Sequence, residues 1–121
     1  VLRVDLTQLS VRETADTIRG AAVVVGAHGA GLFNAPLFSR TAECTGGRGS
    51  STLIAFGLLS QHKSKEGNLV SACARVGLRL EILSDVTASY FGDYRLGAAE
   101  VDSVVKVVRA AVRRWERGEA V

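Results

Sequence analysis

Residues Ala21 to Val25 read AAVVV, five residues without a polar side chain, and stop at Gly26. A strand with one wet face alternates apolar and polar residues. An unbroken β-branched run instead suits a strand covered on both faces, as in a parallel sheet. Parallel neighbours cannot be joined by tight hairpins, so helical crossovers must lie on either side of the run in sequence. The flanking sequence supplies them. Ser10-Val11-Arg12-Glu13 has the S-x-x-E form of a capping box and predicts a helix to about Arg19, with Val11, Ala15 and Ile18 on its apolar face. Beyond the glycines, Leu32 to Phe38 predict a short helix with Pro36 in its first turn.

The same pattern continues. Val1 to Leu6 alternate as a short strand, and Thr41 to Cys44 predict another. Thr45 to Ser51 form a glycine-rich loop, and Leu53 to Leu59 are assigned to a helix. Leu69, Val70, Cys73, Ala74 and Val76 make a helical stripe that Gly77 is placed to end, and Leu78 to Leu83 alternate as a strand. From Ala98 to Arg117, Val101, Val104, Val105, Val108, Val112 and Trp115 recur in steps of three and four, the signature of an amphipathic helix. Strands and helices therefore alternate throughout. The expected fold is α/β and Rossmann-like, a mostly parallel sheet flanked by helices, in a single domain over residues 1–121. The chain starts at Val1, without Met, inside a strand-like stretch, and reads as part of a longer protein.

Composition narrows the functional classes. A 47% hydrophobic, 22% charged chain of 121 residues can bury one core and is not wholesale disordered. A formal charge of +3 suits an anionic ligand but is too small to argue for nucleic acid. Arg113, Arg114 and Arg117 sit where they favour the dipole of the last helix and read as its solvated face. Cys44 and Cys73 match no metal spacing and read as two small buried hydrophobes. No stretch approaches the length of a membrane span.

Chemistry concentrates in the segment after the apolar run, Gly26-Ala27-His28-Gly29-Ala30-Gly31. In an open parallel sheet, ligands bind beyond the carboxyl ends of the strands, where helix amides and dipoles favour anions. Gly29 and Gly31, with Ala30 between them, would let a phosphate reach the backbone amides. His28 would add a hydrogen-bond donor, and Asn34, three residues past Gly31, could reach the loop or a ligand. The order G-x-x-G-x-G is not the dinucleotide fingerprint, and no acidic residue stands about 20 positions on. The Lys-Ser/Thr ending of a P-loop is absent, as is any G-x-S-x-G elbow. His62, the second histidine, lies in a polar stretch, so no metal set forms and no cofactor is expected. Spacing alone leaves two readings open, a phosphate loop and a tight structural turn.

The segment Ile18 to Phe38, IRGAAVVVGAHGAGLFNAPLF, closely resembles the signature of glycosyltransferase family 61: an apolar strand, then G-x-H-G-A-G-L, an asparagine and a phenylalanine. The resemblance extends upstream to the Ser10 helix and downstream to Glu43, then more loosely through LVSACARVGLRLEIL and FGDYRL to the last helix. It implies the C-terminal, donor-binding half of a GT-B glycosyltransferase, in which two Rossmann-like halves face each other across a cleft. Such enzymes move sugars such as xylose or N-acetylglucosamine from nucleotide-diphospho donors to glycan or glycoprotein acceptors, with inversion and without a metal. His28 is then the catalytic residue, and Gly26, Gly29, Ala30, Gly31 and Asn34 line the donor diphosphate, with Glu43 near the nucleotide after a short strand. The implied partners are the donor, the acceptor and a preceding half of the same chain. The implied compartment is the Golgi or endoplasmic reticulum lumen, or the cytoplasm in a bacterium. Ala35-Pro36-Leu37 departs from the bulkier aliphatic residues usual there, and Arg48 in the GGRG loop is either a second phosphate contact or a surface residue. The alternative from another class is a non-catalytic nucleotide-binding or structural α/β module.

Overall fold

A computed structural model describes residues 1–27, 29–45, 49–56, 63–84, 86 and 96–119. Its centre is a three-stranded parallel sheet of β1 (Val23–Ala27), β2 (Thr52–Phe56) and β3 (Arg79–Leu83), in the order β1-β2-β3. Val25 stands opposite Ile54, and Ile54 opposite Glu81. Five helices accompany it among the described residues: α1 (Val11–Gly20), α2 (Asn34–Phe38), α3 (Ala42–Thr45), α4 (Lys63–Val76) and α5 (Ala98–Glu116).

Strand alternation sorts the core into two layers. Leu53 and Ala55 of β2 point to one face, where they meet Ala35 of α2 and Leu69 and Cys73 of α4. Ile54 and Phe56 point to the other, against Ala111 of α5 with Val104, Val107 and Val108 packed around it. The α2 and α4 connections step the same way along the sheet and lie on the same face, as crossovers of one hand require. The structure is thus α/β with a small parallel sheet between helical layers.

Several local expectations are met for the reasons the residues supply. The capping box forms: the Ser10 hydroxyl accepts from the Glu13 amide at 3.1 Å, and Glu13 Oε1 accepts from the Ser10 amide at 3.0 Å. Those bonds, the backbone one first, hold the Glu13 carboxyl below its ordinary pKa. At the end of α4, Gly77 takes the left-handed φ of 66°. The Leu78 amide then donates to the Cys73 carbonyl and the Gly77 amide to that of Ala74, a Schellman closure.

Other expectations are corrected. The run Leu53 to Leu59 was assigned to a helix, but Thr52–Phe56 is the central strand, buried at every residue, and 57–59 lie outside the described residues. Thr41 to Cys44 is no strand. The Thr41 carbonyl accepts from the Cys44 and Thr45 amides and from the Thr45 hydroxyl, which closes α3 instead. Val1 to Leu6 is also unpaired with the sheet: residues 1–5 carry no regular structure, and Leu6–Gln8 form a 3-10 turn capped by Asp5. β1 is thus an edge of the described sheet, yet it is packed on both faces, Val24 against the α2 and α4 layer and Val23 and Ala27 against the α5 layer, with Val25 40% exposed. The inward stripe of α5 is rotated from the expected one. Val107 and Ala111 pack inward, whereas Val101 and Val105 are exposed. Arg114 is not simply solvated, since its Nη2 pairs with Glu81 Oε1 at 3.1 Å.

The cysteines divide as well. Both are free thiols, but only Cys73 is buried, and its burial raises the thiol pKa to about 11; Cys44 is exposed. A thiol-reactive dye at neutral pH should therefore label one equivalent quickly and the second only on unfolding. Rapid labelling of both in the folded chain would contradict the packing of Cys73 beneath Leu53.

Candidate functional site

The glycine segment occupies the carboxyl end of β1. Gly26 and Ala27 are the last residues of the strand, and Ala30–Phe33 form a 3-10 turn that runs directly into α2. His28 lies outside the described residues. Gly29 is extended, with φ 170° and ψ 173°, and its carbonyl accepts the first bond of the turn from the Leu32 amide at 3.1 Å. The amides of Ala30 and Gly31 precede that bond and so have no acceptor within the turn. The Gly31 carbonyl is held from inside: Asn34 donates to it through its backbone amide and through Nδ2, the latter at 2.9 Å. Asn34 thus reaches the loop, as expected of it, and fixes the orientation of the last glycine.

The glycines do different work. A Cβ on Gly26 would stand 2.7 Å from Leu32 Cδ2, so this position is small because the buried Leu32 side chain packs over it. At Gly29 and Gly31 a Cβ would meet nothing within 4 Å among the described residues, and neither residue has a φ in the left-handed region. Among the described residues, neither packing nor backbone strain demands glycine there. Both positions leave open space beside their own backbone, which is what a ligand approaching the main chain requires.

Glu43 is carried by a separate short helix. Its backbone belongs to α3, which follows Arg40 and Thr41, and that connection is tied to the amino ends of the strands. The Ser51 amide donates to the Arg40 carbonyl at 2.7 Å, and the Thr52 amide to the Ala22 carbonyl at 3.0 Å. Arg40 Nε also donates to the Arg19 carbonyl at 3.1 Å. The Arg40 guanidinium lies 5.5 Å from the centre of the Trp115 ring, whose Nε1 donates to the Gly49 carbonyl at 3.1 Å. The connection that leads into α3 thus lies at the amino ends of the sheet, the glycine loop at the carboxyl ends. Arg48, the other residue considered for phosphate contact, lies outside the described residues.

A half-open cavity of about 690 Å3 runs along the free edge of β1, between Leu2, Val4 and Leu6 on one side and Val23, Val25 and Ala27 on the other. Gly31 and Leu32 are also among its lining, so it borders the glycine loop. The alternation of Leu2, Val4 and Leu6 was the only trace of it in the sequence. Among the described residues, no group of three His, Cys, Asp or Glu side chains converges as metal ligands, and no helix is long and apolar enough to cross a membrane. Compared with models of protein families, with curated proteins and with solved structures, the chain matches none.

Proposed function

We propose that this chain is the donor-binding half of a GT-B glycosyltransferase resembling family 61, and that its glycine loop receives the diphosphate of a nucleotide-sugar. The observation that supports this most is the open space at Gly29 and Gly31, on a turn just beyond the carboxyl end of a parallel strand. Glycines with no packing role, beside amides with no acceptor in the turn, fit an anion drawn close to the backbone. In the proposed reaction an acceptor hydroxyl attacks the anomeric carbon as the bond from that carbon to the diphosphate oxygen breaks. The hydroxyl proton passes to a base in the facing half, and the nucleoside diphosphate leaves with both bonding electrons. The loop amides and His28 stabilise the charge that grows on it. Asn34 acts through Gly31, whose peptide it orients. Glu43 is proposed to lie toward the nucleotide rather than at the diphosphate loop. The glycan or glycoprotein acceptor enters from the facing half, and the compartment the resemblance implies is the Golgi or endoplasmic reticulum lumen, or the cytoplasm in a bacterium.

Gly31→Leu separates a ligand role from a folding role. The position is exposed and has room for a side chain, so stability should change by no more than about 0.5 kcal/mol. Affinity for a nucleoside diphosphate should fall at least ~10-fold, or about 1.4 kcal/mol, because the side chain fills the approach. Unchanged affinity would count against the loop as the diphosphate site.

A second reading, a structural or non-catalytic nucleotide-binding module, draws on the Gly26–Leu32 contact, which gives one glycine of the motif a purely internal reason. A purely structural module predicts that the His28 ring resonances stay unmoved by millimolar nucleoside diphosphate, a non-catalytic nucleotide-binding module predicts a shift without sugar transfer by the complete protein, and the transferase reading predicts both.

A further inference from the structure

We propose that residues 1–5 form a strap that closes onto the free edge of β1 as a fourth parallel strand, filling the cavity now held open between them. Three independent observations converge on this. First, the lining of the cavity repeats with the period of a strand. Leu2, Val4 and Leu6 face it, whereas Arg3 and Asp5 do not. In a paired strand, the three apolar side chains would lie on one face of the sheet and the two charged ones on the other, the pattern of a half-buried edge strand.

Second, the connection already has the required course. The strap leads through the Asp5-capped turn and the Ser10 capping box into α1, and α1 leads into β1. A helix between two neighbouring strands makes them parallel to each other. α1 packs against α2, which lies on the same face of the sheet as α4. A strand added beyond β1 would therefore extend the order by one step in the direction already taken, with the same crossover hand as the two connections that follow.

Third, both partners are open and apolar. Leu2 is 76% exposed and Val25 is 40% exposed, while Ile18 of α1, at the floor of the same cavity, is buried. Closing the strap covers the apolar residues on both sides and gives the outer backbone groups of β1 acceptors and donors. The two forms differ in the wall they offer the glycine loop, because Ala27, Gly31 and Leu32 line the cavity that the strap would fill. The strap thus governs the packing under that loop, whatever the loop binds.

Amide hydrogen exchange measured by NMR on the whole chain tests this. Alternate amides within residues 2–5 and the outward amides of β1 should exchange at least ~10-fold more slowly than in an unstructured chain. Val4→Pro, which removes a strand donor without touching α1 to α5, should return those β1 amides to fast exchange. Random-coil exchange throughout residues 1–5 would overturn the proposal. So would β1 protection that survives Val4→Pro, or protection that grows with protein concentration, since the latter would mean a second copy on that edge.

Discussion

Leu53→Ala should destabilise the chain by about 2–5 kcal/mol, the range for removing a fully buried leucine from a packed core. Leu53 is 0% exposed, in the central strand, and joins α2 and α4 through Ala35, Leu69 and Cys73. The cavity cannot collapse easily, because β2 is held by β1 and β3 on either side. Domains of this size carry about 5–15 kcal/mol of stability in total, so thermal unfolding should move down by roughly 10 °C or more. The comparison with Val101→Ala sharpens the test. Val101 is 43% exposed on α5, so its truncation should leave the melting temperature almost unchanged. Equal shifts for the two variants would mean that β2 is not the centre of the core.

The second large effect concerns chemistry. His28→Ala, made in the complete transferase, should lower the rate of sugar transfer on the order of 100-fold, the scale of one preorganised donor to developing negative charge. The loss should fall on kcat more than on KM, because the charge on the departing diphosphate grows in the transition state. A steady-state assay of sugar transfer checks both numbers. An unchanged kcat would remove His28 from the catalytic role and leave the amides as the only stabilising groups of the loop.

How much of this was legible in the sequence depended on whether the signal was local. The Ser10 capping box, the Gly77 closure and the helix from Ala98 are each decided within a few residues, and each stands where the pattern placed it. The central strand was misread because Leu53-Ile54-Ala55-Phe56 has no alternation. A short apolar run suits a buried helix as well as a strand covered on both faces, and only the neighbours β1 and β3 decide. The AAVVV run, by contrast, leads into a strand packed on both faces, although nothing in the run tells that this strand lies at an edge of the described sheet. An edge is a property of what pairs with a strand, not of the strand.

The site shows the same division. The spacing of the glycines put the loop after a strand and before a helical turn, and it lies there. Spacing gave all three glycines the same meaning, whereas Gly26 accommodates Leu32, and Gly29 and Gly31 face open space. The place of Glu43 depended on where the chain returns after α2. That is decided by the Ser51 amide on the Arg40 carbonyl, a pairing no local pattern announces.

The central claim, that the glycine loop takes a diphosphate through its backbone, is tested most directly by titrating the isotope-labelled chain with nucleoside diphosphates. The amide resonances of Gly29, Ala30 and Gly31 report on the loop, and those of α5 serve as the internal control. The account predicts saturable shifts at the three loop amides, abolished by Gly31→Leu, with α5 unmoved. Loop amides that stay in place up to millimolar ligand, or that move no more than those of α5, would contradict it.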